Sequence, residues 1–119
     1  SDVRYKENIQ GDTSGLSFIN DLRPVTFDWK KEKDLPQDHR AYVAGSETRT
    51  MNSKRNHGFI AQEVKEVIDN HPEIQDGFGM WSEDDADGRQ RIGEGALVPL
   101  LVKAVQELSA EIDKLKEQN

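Results

Sequence analysis

The chain has 119 residues, 34% hydrophobic and 33% charged, with a formal net charge of −7. That length allows one domain with a modest core, and so polar a balance compacts only if part of the core lies between subunits. The acidic balance excludes general nucleic-acid binding, the lack of any apolar run near ~20 residues excludes a membrane-spanning helix, and zero cysteines exclude disulfides, thiolate catalysis and cysteine-bound zinc. No basic-then-apolar leader occurs in this stretch. Charge is uneven: residues 30–57 carry seven Lys or Arg against four Asp or Glu, and residues 73–95 carry seven acids against Arg89 and Arg91. Such oppositely charged arms either steer contacts with a partner or are solvated loops.

The first nine residues, Ser1-Asp2-Val3-Arg4-Tyr5-Lys6-Glu7-Asn8-Ile9, hold the pair with the clearest chemistry. A serine hydroxyl becomes a nucleophile when a base takes its proton, and a lysine is such a base when desolvation or a nearby cation lowers its pKa. Ser1 and Lys6 make that pair, and Ser–Lys dyads are an attested variant of serine machinery. The plain alternative is two surface residues. A chain opening on Ser rather than Met is expected from a cut before Ser1, or from a boundary of the expressed segment.

Gly11 to Gly15 is a turn cluster in which Thr13 or Ser14 is placed to N-cap a helix. Leu16, Ile19 and Leu22 sit at helical spacing beside Phe18, and Pro24 ends that helix. Val25, Phe27 and Trp29 alternate with Thr26, Asp28 and Lys30, predicting a half-buried strand. Lys31 to Arg55 reads as an excursion with little structure, in which Tyr42-Val43 can pair as a short strand. A second helix is predicted over Gly58–Ile68, from Phe59, Ile60, Val64, Val67 and Ile68 on one face, with Pro72 marking its end. His57 before it reads as a cap-region residue or a catalytic helper.

Gly77–Trp81 and Arg89–Ile92 flank an acidic run and predict a hairpin turning at Asp87-Gly88. Counted from Glu83, the residues Asp85, Asp87, Gly88 and Glu94 fall at the third, fifth, sixth and twelfth places of a calcium loop. The first place is Glu, the eighth is Gln90, and no helix pattern precedes it, so no metal site is assigned. Last, Val98, Leu101, Val105, Leu108, Ile112 and Leu115 are spaced 3, 4, 3, 4, 3, the a and d positions of a heptad repeat. Pro99 fits a first helical turn, and Glu111 and Lys116 stand at g and e positions where chains pair. By the simple a/d rule this stripe forms two strands, and a helix packed only on its own domain is the alternative.

Four pieces line up in order: Ser1-Asp2-x-Arg4-x-Lys6-x-Asn8-Ile9, Leu22–Lys30, His57–Val64 and Leu97–Leu108. Together they resemble the C-terminal intramolecular chaperone, the self-cleaving S74 peptidase domain of phage tailspikes, tail fibres and endosialidases. Vertebrate myelin regulatory factors carry a similar domain, but this polar, cysteine-free chain looks more like the phage members. The resemblance implies an α+β, mainly helical fold, with short helices and small β-hairpins packed on a long C-terminal helix that forms a trimeric bundle or coiled coil. It implies a single domain over 1–119: autocleavage motif, helix and strand over 1–30, a protruding loop over 31–56, helix and hairpin over 57–95, and a trimerisation helix over 96–119. The implied partners are two further copies, making a homotrimer, and the β-rich fibre of its own precursor; no cofactor, nucleic acid or membrane is implied. Ser1 is the implied nucleophile and Lys6 its base, with Asp2, Arg4 and Asn8 supporting. The cut falls just before Ser1 and releases the domain, in the cytoplasm of a host bacterium, from what becomes a virion tail fibre or tailspike used in host attachment. A non-catalytic trimerisation module is the competing expectation.

Overall fold

The computed structural model describes residues 2–74, 77–84 and 86–118. It is an α+β fold of three α-helices, the last of them long, and two small antiparallel sheets. The chain divides into two compact units: one takes the residues up to Arg23 and from Ala61 on, the other Pro24–Ile60.

The larger unit holds the core. Helix α1 (Leu16–Asp21), α2 (Ala61–Asp69) and α3 (Leu97–Glu117) contact one another through the pairs α1–α3 and α1–α2, and α2 also meets the hairpin of β3 (Trp81–Glu83) and β4 (Gln90–Ile92). Phe18, Val64, Met80, Leu97, Leu100 and Ala104 are buried. Phe18, fully enclosed, meets His71 and Phe78 edge-on at 5.3 and 5.7 Å. Helix α1 is N-capped by Gly15 without a side-chain bond, not by Thr13 or Ser14 as the turn cluster suggests. The Ser14 hydroxyl donates to the Glu73 carbonyl instead, at 3.1 Å. The orphan N–H of Leu16 donates to Glu107 of α3, at 3.4 Å, so a helix 91 residues away satisfies the start of α1. Gly15 has to be glycine for this crossing: a Cβ there meets the Glu107 carboxylate, the Lys103 side chain and the Ala104 backbone.

Helix α2 begins at Ala61, three residues later than its apolar spacing predicts. Gly58 belongs to a strand, and Phe59 and Ile60 lead into the helix. Glu63 in its first turn takes a bidentate bond from Arg23 at 2.9 and 2.7 Å. The predicted hairpin forms, but its first strand is Trp81–Glu83 rather than Gly77–Trp81, with Trp81 opposite Ile92 and Glu83 opposite Gln90. Gly88 takes φ 71°, a left-handed conformation that glycine adopts without penalty. Pro99 sits in the first turn of α3, where its missing N–H has no intrahelical partner to lose.

The smaller unit is built on β1 (Val25–Phe27) and β2 (Asn56–Gly58), with Val25 opposite Gly58 and Phe27 opposite Asn56. The strand stops at Phe27, short of the predicted Trp29, whose ring packs edge-on against Phe27 at 5.0 Å. His57 is therefore a strand residue facing Thr26 in the ladder, not a helix cap. The excursion 31–55 is far more ordered than its composition suggests. Glu32 donates to Thr48 at 2.8 Å, Thr50 to Lys30 at 2.9 Å, and Lys31 and Arg49 form a bridge. Tyr42-Val43 is not a strand: Tyr42 N–H closes the preceding turn on the His39 carbonyl, and Val43 N–H donates to the Glu32 carbonyl at 3.4 Å. Glu47 takes both Lys31 and Lys33, which hold its carboxyl down at about 2. None of the described residues of this unit is fully buried, so polar bonds rather than a core define its shape.

Candidate functional site

Ser1, the predicted nucleophile, lies outside the described residues, as does Asp85 of the calcium count. What precedes α1 is an arm, residues 2–13, exposed throughout. Asp2 opens it by capping a 3-10 turn over Val3–Tyr5, its Oδ1 accepting the Arg4 N–H at 2.9 Å. The Arg4 guanidinium then closes on the same carboxylate, with Nε and Nη2 at 3.0 and 2.6 Å from Oδ2. That pair holds the Asp2 carboxyl below its usual range and the guanidinium above its own. Two predicted supporting residues thus lock each other, and Arg4 is spent on Asp2 rather than aimed at Lys6.

Lys6 closes the turn through its backbone N–H on the Val3 carbonyl at 3.1 Å and is itself extended. Its side chain is exposed and makes no hydrogen bond or ion pair among the described residues. Asn8 turns the arm at φ 51°, a conformation asparagine tolerates better than most residues, and accepts from Gln10 at 2.8 Å. A cleft of about 590 Å³ separates the arm, from Asn8 to Ser14, from Glu73, Ile74 and Phe78 of the body. The geometry therefore brings Asp2 and Arg4 together, puts Asn8 at a bend, and leaves Lys6 in solvent.

The second candidate surface is on α3. Its buried residues are Leu97, Leu100 and Ala104, at 5–6% exposure. The predicted heptad residues Val98, Leu101, Val105, Leu108, Ile112 and Leu115 lie elsewhere on the helix and are 43–65% exposed. A surface helix of this length normally turns its apolar stripe inward. Here one face serves the core and another six-residue apolar face is presented to solvent. Among the described residues, no three His, Asp or Glu side chains converge to hold a metal ion, and no helix is long and apolar enough to cross a membrane.

Sequence reasoning passed over one charged cluster. His71, at 7% exposure, stands between Asp21 (Nε2 to Oδ2, 2.6 Å) and Glu73 (Nδ1 to Oε1, 2.6 Å). The only sequence signal was an ionisable residue beside Pro72 at the end of α2. Its partner on α1 is 50 residues away.

The chain thus joins an α+β body to a polar, exposed N-terminal arm and to a long helix whose heptad residues are 43–65% exposed. The family model Peptidase_S74, described as the chaperone of endosialidase, matches residues 1–72, and the chain belongs to that family. The match takes in the arm, α1, the smaller unit and α2. No curated protein and no solved structure matches the chain. Family membership carries a chaperone role.

Proposed function

We propose that this domain is an intramolecular chaperone that trimerises through α3, assists the folding of the β-rich tail fibre or tailspike to which it is fused, and is then cut off before Ser1. The observation that carries the reading is the family match beginning at the Ser1–Lys6 motif. Two others support it. The heptad face of α3 is apolar and uncovered in a single chain, and the positive residues of the excursion, such as Arg40, Lys54 and Arg55, offer a surface for gripping a folding fibre. Interwound β-fibres fold through non-local contacts and need three chains in register, so nucleation is slow. A C-terminal bundle holds the three chains together at high effective concentration. Removing it afterwards makes the product kinetically stable.

In the cut, Ser1 Oγ attacks the carbonyl carbon of the preceding residue and its proton passes to Lys6 Nζ. The C–N bond to Ser1 breaks, that nitrogen takes a proton, and an ester joins the preceding residue to Ser1 Oγ. Water hydrolyses the ester, leaving a carboxylate on the fibre and the free hydroxyl on Ser1. Lys6 must be neutral to act, and neutrality needs desolvation. Because Lys6 is exposed in one chain, that desolvation has to come from assembly, which couples cleavage to trimerisation. After its single turnover the pair is spent. The production site is the cytoplasm of a phage-infected host.

The exposure of Lys6 also favours a second reading, a trimerisation module with no self-cut. A longer precursor ending at Asn119, run on a gel beside its Ser1→Ala and Lys6→Ala variants, separates them. Cleavage of the wild type alone, with mass spectrometry placing the break before Ser1, supports the dyad. A Lys6→Ala precursor that cuts at the wild-type rate defeats it.

A further inference from the structure

The Asp21–His71–Glu73 cluster lies where the arm meets the body, and the self-cleavage reading makes no use of it. A neutral imidazole has one N–H and one lone pair, so it can satisfy only one of two flanking carboxylates. With carboxylate oxygens 2.6 Å from each ring nitrogen, the enclosure selects the imidazolium, which donates on both sides. Both nitrogens being taken, the ring has no lone pair for a hydroxyl, so it is not the base of a Ser–His–Asp triad with nearby Ser14.

Among the described residues, the charges around it come from α1, from α2 and from the turn that follows α2. Asp21 is on α1, Glu73 follows in the same turn, and Lys65 and Asp69 of α2 line the adjoining 360 Å³ cleft, where they pair with each other. The other groups on that cleft, among them Phe78 and Trp81, carry no charge. Asp21 first, then Glu73, raises the His71 pKa against the opposing effect of burial. His71 in turn holds the Glu73 carboxyl low.

The cluster also holds the root of the arm. The Glu73 carbonyl accepts the hydroxyl of buried Ser14, the residue at which the exposed arm ends. Phe18, one turn before Asp21, packs its ring against His71. We infer that His71 is a pH-sensitive latch: charged, it ties α1 to the turn after α2 and fixes the root of the N-terminal arm at Ser14; neutral, it lets both go. A raised histidine pKa gives stabilisation that is full below the unfolded value near 6.5 and is lost as pH rises through the folded value. The lowered Glu73 pKa sets the acid side, with loss as pH falls through its folded value. The latch is closed between the two. Resting on the self-cleavage reading, its consequence is that opening the latch at alkaline pH unsettles the arm that carries Lys6.

The test is amide hydrogen exchange on the 119-residue chain, corrected for intrinsic rates, with α3 amides as the internal reference. From pH 6 to pH 9, protection at Ile19 and Leu22 should fall roughly tenfold to a hundredfold relative to α3, the effect of losing one charged hydrogen bond. His71→Gln should make that protection flat with pH. Should His71→Gln fail to fold, the wild-type ring proton followed by NMR decides. A midpoint above 6.5 that coincides with the loss of α1 protection supports the latch. A midpoint at or below 6.5, or α1 protection that stays level while the ring titrates, overturns it. A precursor that never cuts, with the latch titrating as described, defeats the cleavage reading and leaves the latch standing. A precursor that cuts while α1 protection is flat does the reverse.

Discussion

Val105→Asp asks whether the exposed face of α3 is an assembly surface. Val105 is 65% exposed in the single chain, at the centre of the stripe. Burying a valine fully is worth about 1.5–2 kcal/mol, so covering the remaining two-thirds contributes about 1 kcal/mol per chain, or about 3 kcal/mol over three chains. Aspartate forfeits that and adds three carboxylates converging on one layer, each costing several kcal/mol to desolvate unless it protonates. Lost valine burial alone predicts at least a hundredfold weaker association. In the isolated chain the same substitution should do little, since surface changes stay within about 0.5 kcal/mol and aspartate and valine have similar helix propensities. Sedimentation equilibrium across a concentration series, with far-UV circular dichroism on the same samples, reads both quantities. The expected result is a wild-type trimer and a monomeric, still helical variant. A wild type that stays monomeric at high concentration, or a variant that sediments like it, refutes the assignment of this face.

Three further predictions concern the body and the smaller unit. Phe18→Ala should cost about 3–5 kcal/mol by opening a cavity against His71 and Phe78, enough to unfold much of a marginal domain, as a thermal melt would show. Gly15→Ala should cost about 1–3 kcal/mol by pushing α3 off α1; pairing it with Glu107→Ala should recover part of the loss in a denaturant titration if the crowded carboxylate is the cause. Glu47, held low by Lys31 and then Lys33, should titrate by carboxyl NMR near 2. Its pairing therefore persists in mild acid and is lost only as pH falls towards that value, and a midpoint near 4.5 would show the lysines to be disengaged.

What was legible in the sequence was what nearest neighbours determine. The long helix α3, the hairpin around Gly88 and the stop before Pro24 are local patterns, and each formed. Helix α2 was misplaced at its start because Phe59 and Ile60 fit a helical period, while Gly58 was claimed by Val25, more than thirty residues earlier. The cap of α1 went wrong for the same reason: Ser14 looked like a cap and found Glu73, while Glu107 supplied the missing acceptor. At the candidate site, residue types and the family resemblance named Ser1, Lys6, Asp2, Arg4 and Asn8 as candidates. They did not reveal that Arg4 closes on Asp2, nor that His71 would collect carboxylates from two elements.

The division of the chain into two units has a practical consequence in light. Its two tryptophans fall one to each unit. Trp29 sits edge-on to Phe27 in the smaller unit. Trp81 donates its indole N–H to Gln90 at 2.9 Å in the larger, with the Lys65 ammonium 5.1 Å above its ring. Replacing either by phenylalanine turns selectively excited tryptophan emission into a reporter of the other unit, the tyrosines Tyr5 and Tyr42 being left unexcited. Whether the excursion and the helical body melt together or apart can then be followed without attaching a dye.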